Sequence, residues 1–311
     1  MKKRNIGIGI LYISGLLVCM LILSVFLRPT YADGVSSETP NTLDYLVVGD
    51  SEAYSTFSPM QLFNEHGFVG YNMGIGGQYT QDAYYKLEEV LNVQNPKLVV
   101  IETNLLFRKR NIVTSFNTAF KRIASKYFGV IQYHDQWKKV DVENLGKVFG
   151  QKDTKIDPVK GFIYQTPVNP YSSGTYVNKT TKRGAIPTVS EDYLNRMIEL
   201  CRSRNTEVFL YTSPSPINFK YENYNAIEKY ASDQGLTYID FNQIYDQVGI
   251  DWSTDTYDRG DHLNASGAKK ISQYLGNYIA EHYSLADHRN DPAYVSWQAA
   301  LTNYKKMTKS E

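Results

Sequence analysis

Short apolar runs alternate with helix-length amphipathic segments along most of this 311-residue chain, and this alternation constrains its fold most. Short apolar runs bounded by turn signals predict strands, whereas apolar residues spaced three and four apart predict helices. Strands are therefore expected over residues 43–48, 68–73, 97–103, 207–212 and 236–241, and helices over residues 80–93, 190–204, 222–233 and 265–282. This alternation is typical of an α/β fold whose central parallel sheet is covered by helices on both faces.

The N-terminal segment predicts a transmembrane helix. Residues 6–27 carry no charged side chain, and about 20 apolar helical residues are enough to cross the hydrocarbon core of a bilayer. Because Lys2, Lys3 and Arg4 precede this run, the positive-inside tendency places the N-terminus in the cytoplasm and the remaining chain outside. A signal peptide cleaved near Ala32 would have the same basic start, but its apolar core is usually shorter, roughly 7–15 residues. We therefore favour an uncleaved anchor, and both interpretations export the domain.

Composition divides the chain into four parts. Residues 1–28 form the cytoplasmic tip and the anchor, and residues 29–42 have the small polar composition of a linker. Residues 43–283 suffice for one domain with a substantial core, and residues 284–311 form a polar extension that either packs as a helix or frays. Within the domain, residues 105–187 interrupt the rhythm of strands and helices. An insertion of that length predicts a lid or a substrate-recognition region.

Composition also argues against several classes of protein. With 33 basic and 32 acidic side chains the net charge is +1, so no overall charge favours nucleic acid, and no nucleic-acid motif is present. Cys19 lies in the apolar run and Cys201 in the domain, so the two cysteines predict no framework disulfide. The five histidines lack the spacing of metal ligands, and we expect neither a metal nor another cofactor.

Residues suited to acyl chemistry follow the predicted strands. Gly49-Asp50-Ser51 comes after the first strand, the glycine-rich residues 72–77 after the second, and Asn104 after the third. His262 stands just ahead of a helix that Asn264 is suited to cap. In parallel sheets, ligands bind beyond the carboxyl ends of the strands. Since a serine nucleophile needs an imidazole to take its proton and a carboxylate to orient the ring, the pattern predicts a serine esterase site.

In these residues and in their order, the chain resembles the SGNH, or GDSL-like, hydrolase family. The resemblance covers residues 43–104 and 206–282, and it implies a flavodoxin-like three-layer sandwich behind the N-terminal membrane helix. By this resemblance Ser51 is the nucleophile and His262 is the general base. The N–H groups of Ser51 and Gly77, together with the Asn104 amide, would form the oxyanion hole.

Two sequence blocks leave open which residues form the oxyanion hole. Gly74 and Gly76 fit the place of the family's glycine as well as Gly77 does. The third block normally reads Gly-x-Asn-Asp, but here it reads Glu102-Thr103-Asn104 and lacks both the glycine and the following aspartate. This departure indicates a divergent branch of the family.

The carboxylate of the site has two candidates. The family pattern Asp-x-x-His would place it at residue 259, which is an arginine here. Asp258 would serve with one extra loop residue, whereas Asp261 directly precedes His262. Because neighbouring side chains tend to point apart, we expect Asp258 to be the acid and keep Asp261 as the alternative.

The resemblance implies an extracytoplasmic serine esterase or O-acyltransferase that acts on acetyl or other small acyl esters. The expected partners are a cell-surface polysaccharide or a teichoic-acid-like wall polymer, a membrane-bound O-acyltransferase, and the membrane through the N-terminal helix. One alternative is a lipase-like or thioesterase-like hydrolase. Another is a non-catalytic protein that keeps the fold to bind a glycan or to act as a scaffold.

Overall fold

The computed structural model describes residues 2–27, 31–32, 34–133, 153–154 and 157–308. Its contacts divide the chain into two units, one formed by Met1–Asp33 with Asn111–Lys155 and the other by Gly34–Arg110 with Ile156–Glu311. The middle of the predicted insertion, residues 134–152, and the predicted end of the anchor at residue 28 lie outside the described residues.

The strands and helices are numbered in chain order. The strands are β1 Tyr31–Ala32, β2 Tyr45–Val48, β3 Gly70–Asn72, β4 Leu98–Glu102, β5 Asp153–Thr154, β6 Glu207–Thr212 and β7 Thr237–Asp240. The helices are α1 Lys2–Phe26, α2 Ser51–Thr56, α3 Pro59–His66, α4 Thr80–Val90, α5 Ile112–Tyr127, α6 Gly129–Tyr133, α7 Thr188–Arg202, α8 Tyr221–Gln234, α9 Phe241–Ile244, α10 Ala265–His282 and α11 Val295–Thr308.

The first unit contains α1, α5, α6 and the parallel pair β1–β5. Within α1, Ile6–Phe26 is long and apolar enough to cross a membrane, although a signal sequence has the same properties. The structure therefore contains the predicted N-terminal apolar helix. Whether it is an anchor or a cleaved signal stays a prediction.

The second unit is built on a sheet of five parallel strands in the order β3–β2–β4–β6–β7. Tyr45 of β2 pairs with Gly70 on one side and with Leu98 on the other, and Leu98 pairs with Glu207 of β6. The chain thus builds one strand to one side of β2 and then continues on the other side, which is the flavodoxin-like order. The predicted α/β fold with a central parallel sheet is confirmed.

Helices cover both faces of this sheet. Because successive strand residues point to opposite faces, Leu46 and Val99 join one core with side chains of α4 and α7, while Tyr45 and Val100 join a second core with side chains of α2 and α10. The bounds of α10 and β6 coincide with the predicted ones. The sequence pattern did not predict α2 and α3, which lie between the first two strands of the sheet.

The C-terminal extension packs on the second unit as helix α11. Trp297 is 2% exposed, and its ring lies 5.3 Å from the ring of Phe63 and 4.4 Å from the ammonium of Lys160. Its Nε1 donates to Glu38 Oε2 at 3.2 Å, and Lys160 Nζ lies 2.7 Å from Glu38 Oε1. Because Glu38 belongs to the predicted linker, the folded domain extends beyond residues 43–283 at both ends.

The predicted insertion is divided between the two units. Asn111–Lys155 groups with α1 in the first unit, whereas the described residues 157–187 belong to the second unit. Lys160, which contacts Trp297, lies in this second part. The described residues of the insertion are therefore shared between the two units.

Replacing Trp297 with alanine removes a buried aromatic side chain that also contacts Lys160 and Glu38. We expect the free energy of unfolding to fall by about 3–5 kcal/mol. Thr302→Ala changes an exposed position on the same helix, and this control should shift stability by less than about 0.5 kcal/mol. Chemical denaturation followed by circular dichroism measures both variants. A Trp297→Ala protein as stable as the wild type would contradict the assignment of α11 to the folded domain.

Candidate active site

Ser51 begins helix α2 directly after strand β2. Asp50 caps this helix, because its Oδ1 accepts a hydrogen bond from the Glu52 N–H at 3.0 Å. Gly49 is required by packing, since a Cβ there would lie 2.5 Å from the Ala53 Cβ and 2.8 Å from the Glu102 Cβ. The turn thus presents Ser51, which is partly exposed, at the carboxyl end of the sheet.

Asn104 lies at the neighbouring strand end and is tied to the same turn. Its Nδ2 donates to Asp50 Oδ2 at 3.2 Å, and Arg108 Nη2 lies 3.5 Å from that oxygen. An amide has two N–H groups, so one of them stays available to a substrate oxygen. The structure therefore brings Asn104 next to the residue that precedes Ser51.

Three glycines follow strand β3, and they differ in what their backbones do. The Gly74 N–H donates to Asn72 Oδ1 at 3.0 Å, so this group is already engaged. Gly77 has φ +71°, a conformation that favours glycine, and a Cβ there would meet no atom within 4 Å. Among the described residues we find no acceptor for the Gly77 N–H. Gly77 and Gly76 remain the candidates for a donor to the oxyanion.

Asp258 holds His262 through two hydrogen bonds. Its Oδ2 lies 2.6 Å from His262 Nδ1, and its Oδ1 accepts from the His262 backbone N–H at 2.6 Å. The loop between them turns through Arg259 at φ +66° and Gly260 at φ +90°. These two left-handed residues accommodate the extra residue of the loop.

Asp261 lies closer to the imidazole than its position in the sequence led us to expect. Its Oδ2 is 3.7 Å from His262 Nδ1, so the side chain does not point away from the ring. Its Oδ1 accepts a hydrogen bond from Asn218 Nδ2 at 2.7 Å. The shorter and doubled contact nevertheless belongs to Asp258.

The contact at Nδ1 defines what His262 can do. When Nδ1–H donates to a carboxylate, the neutral imidazole presents the lone pair of Nε2 as a proton acceptor. Nε2 of His262 is buried and has no hydrogen-bond partner in the described part of the chain. The bond between serine and imidazole would therefore have to form when a substrate binds.

Glu52 and Asn218 connect the turn of Ser51 with the loop of His262. Asn218 Nδ2 donates to Glu52 Oε1 at 2.6 Å and to Asp261 Oδ1 at 2.7 Å. Oxygens of Glu52 and Asp261 and a ring nitrogen of His262 all lie within 4.8 Å of one another. The two segments that the sequence singled out therefore meet at one site.

The same trio of Glu52, Asp261 and His262 has a spacing that a metal ion could bridge. We expected no metal because the histidines lack the spacing of metal ligands along the sequence. Such spacing does not reveal residues about two hundred positions apart that the fold brings together. Sequence reasoning also missed Glu52 and Asn218 as site residues. Glu52 could have been found in the sequence because it directly follows Ser51, whereas no sequence pattern marks Asn218.

Buried acids surround the site. Burial raises the pKa of Glu52 well above its usual range, and the nearby carboxylates of Glu102 and Asp50 raise it further. Burial likewise raises the pKa of Glu102, with a further contribution from Asp50. Glu102 stands where the family has glycine, and its oxygens accept from the N–H groups of Asn104 at 2.9 Å and Ser213 at 3.1 Å. Burial therefore disfavours the charged forms of both acids.

A small pocket of about 20 Å³ lies beside Asn104 and Glu52, and neither Ser51 nor His262 lines it. A chain of hydroxyl groups crosses its lining, from Thr103 to Thr212 at 2.6 Å and from Thr212 to Tyr238 at 2.7 Å, and Tyr238 donates to Asp240 Oδ2 at 3.1 Å. Burial raises the pKa of Asp240 to about 6. The lining therefore combines a chain of hydroxyl groups with apolar surface, and the chain ends in a titratable group.

Asp240→Asn should flatten the dependence of stability on pH. Because the pKa of Asp240 is about 6 in the folded protein against an ordinary value of 3.8, the folded state binds this proton more tightly than the unfolded state. The resulting stabilisation is complete below pH 4 and is lost as the pH rises through 6, a change on the order of 3 kcal/mol. The amide of the variant keeps an oxygen acceptor but does not titrate, so this protein should lose less stability between pH 4 and 7.

Urea denaturation across this pH range measures the difference, with Asp233→Asn, an exposed aspartate on α8, as the control. Parallel curves for the wild type and the Asp240→Asn protein would contradict the assigned titration.

No protein-family model and no curated protein matches the sequence. Among solved structures, the lipase/acylhydrolase from Enterococcus faecalis is 13% identical with a TM-score of 0.41, and the match covers 77% of this chain and 96% of that one. A GDSL-like lipase from Bacteroides thetaiotaomicron is 12% identical with a TM-score of 0.38, covering 76% and 87% of the two chains. The family 3 carbohydrate esterase of Clostridium thermocellum is 15% identical with a TM-score of 0.38, covering 78% and 96%.

These similar structures are lipases, acylhydrolases and esterases, and one of them is GDSL-like. At such identities and TM-scores they establish no activity for this chain, which has to be argued from the residues of the site.

Proposed function

We propose that this protein is a serine ester hydrolase or acyltransferase in which Ser51, His262 and Asp258 form the catalytic triad. The observation that carries the proposal is the double hydrogen bond of Asp258 to the ring and backbone of His262, at 2.6 Å each. It orients the imidazole and leaves Nε2 buried and unpartnered among the described residues. Glu52, the neighbour of Ser51, lies within 4.8 Å of the ring, so the nucleophile and the base belong to one site.

The chemistry follows from these roles. Ser51 Oγ attacks the acyl carbonyl while its proton moves to His262 Nε2, and Asp258 stabilises the imidazolium that forms. The oxygen of the tetrahedral intermediate accepts hydrogen bonds from the N–H groups of Ser51 and Gly77 and from the Asn104 amide. The ester C–O bond then breaks, and His262 returns the proton to the leaving alcohol. Water, or a second hydroxyl group, attacks the acyl-enzyme in the same way and releases the acyl group.

The pocket beside Asn104 has room for a small group only. A chain of hydroxyl groups from Thr103 to Tyr238 supplies both donors and acceptors for the hydroxyl groups of a sugar or polyol. Phe219 and Tyr224 also line the pocket and offer aromatic surface to the apolar side of such a group. A long acyl chain would not fit a space of this size. We therefore propose acetyl or another small acyl group on a glycan or a teichoic-acid-like polymer.

The cellular setting belongs to the same proposal. Helix α1 would remain as an uncleaved anchor, and the basic residues before it would keep the N-terminus in the cytoplasm. The enzyme would then act at the outer surface of the cell membrane on a surface polysaccharide or wall polymer. A membrane-bound O-acyltransferase would supply the acyl group if transfer prevails over hydrolysis.

The activity is tested with p-nitrophenyl acetate, p-nitrophenyl octanoate and acetylated polysaccharides, by measuring released nitrophenol and acetate. We expect the acetyl substrates to be preferred and Ser51→Ala to reduce kcat by about three orders of magnitude or more. Ser232→Ala changes an exposed serine on α8 and should leave the rates unchanged. Assays are repeated after treatment with EDTA, because the trio Glu52, Asp261 and His262 could bind a metal.

Three outcomes would contradict the proposal in different ways. Full activity of Ser51→Ala would exclude the nucleophile, and a preference for octanoate would favour the lipase-like alternative. Binding of glycans without turnover of any ester would favour the non-catalytic alternative.

A further inference from the structure

Helix α5 carries an exposed apolar stripe. Its large apolar side chains recur at spacings of three and four residues, and they are 62–76% exposed: Ile112 76%, Phe116 70%, Phe120 64%, Ile123 62% and Tyr127 68%. Val113, 71% exposed, widens the stripe. At the helical repeat of about 100° per residue these side chains share one face roughly 100° wide. Apolar side chains in such a continuous row are rarely left in water.

The remainder of α5 is polar and basic. Lys121 and Lys126 are exposed, Arg122 adds a third positive charge, and the helix contains no acidic residue. An aromatic and aliphatic face beside a basic face is the composition of helices that lie in the plane of a membrane surface. All charged side chains of α5 are positive, a bias that packing on an ordinary protein surface would not require.

The fold places the end of α5 close to the end of α1. Helix α6 follows α5 after one residue, and the Val130 N–H donates to Ser24 Oγ at 3.0 Å. Ser24 lies two residues before the end of the apolar segment Ile6–Phe26. At a rise of about 1.5 Å per residue, this contact is roughly 3 Å from the point where the segment ends. If α1 spans the membrane, α6 and the end of α5 lie at the level of the lipid headgroups.

We propose that α5 lies in the outer headgroup region of the membrane, with its apolar stripe in the acyl-chain boundary and Lys121 and Lys126 at anionic lipid headgroups. The proposal rests on the anchoring of α1 and adds a second, in-plane membrane contact to it. Buried about 5–10 Å below the headgroup surface, the stripe would have the lipid surroundings its side chains require. The first unit would thus be a membrane-surface module made of one spanning and one in-plane helix.

The test uses the full-length protein in vesicles that contain phosphatidylglycerol and phosphatidylcholine. Single cysteines carry an environment-sensitive fluorophore, with the native Cys201 replaced by alanine throughout and Cys19 replaced wherever it is not itself the labelled site. Labels at positions 116 and 120 report the apolar stripe, and a label at the exposed Thr114 reports the opposite face of the same helix. The label on Cys19 reports whether α1 is in the bilayer. Lipids with a quencher high on the acyl chain are then added.

We expect loss of fluorescence at Cys19 and at positions 116 and 120, and little loss at position 114. Lys121→Glu combined with Lys126→Glu should reduce quenching at position 120 in the anionic vesicles but leave quenching at Cys19 unchanged. Quenching at Cys19 without quenching at positions 116 and 120 would overturn this proposal while leaving the anchor intact. Absence of quenching at Cys19 would overturn the anchor, and with it the membrane placement of α5. Ester hydrolysis by the same samples tests the active site separately.

Discussion

The buried side chain of Glu102 joins the three strand ends on which the site depends. Its oxygens bind the N–H groups of Asn104 and Ser213, which follow β4 and β6, and its Cβ packs against Gly49, which follows β2. Burial and the charge of Asp50 raise the pKa of Glu102, and the two N–H donors reduce the cost of burying this polar group. The family's glycine at this place could not supply these two hydrogen bonds. In this chain the glutamate at this position therefore holds the ends of β4 and β6 together.

Much of the fold follows from local patterns in the sequence. The alternation of apolar runs and amphipathic segments is sufficient to predict the parallel sheet, and Asn264 marks the start of α10 because its Oδ1 accepts from the N–H groups of Ser266 and Gly267. Helices α2 and α3 escape such analysis because serine, threonine and proline at their ends resemble loop composition. The packing of residues 34–42 also escapes it, since it depends on contacts of Glu38 with Lys160 and Trp297, which are distant in sequence.

The candidate site, like the fold, could be predicted only in part from the sequence. The sequence predicts Ser51 and Asn104 at one edge of the sheet, because both follow strands and the carboxyl ends of parallel strands lie together. His262 instead precedes helix α10. That Asp258 makes a shorter contact with His262 than Asp261 does depends on the left-handed conformations of Arg259 and Gly260, which the sequence does not reveal. The contacts that Asn218 makes with two acids lie beyond any local pattern. Long-range polar contacts of this kind are set by the tertiary fold.

We propose that Ser51 is a nucleophile activated by His262 and Asp258. The most direct measurement is the rate at which a fluorophosphonate probe modifies the protein, with the modified residue located by peptide mass spectrometry. We predict one adduct on Ser51, slowed by about three orders of magnitude in Asp258→Asn and changed much less in Asp261→Asn. No adduct on Ser51, or equal rates in the wild type and the Asp258→Asn protein, would contradict these catalytic roles.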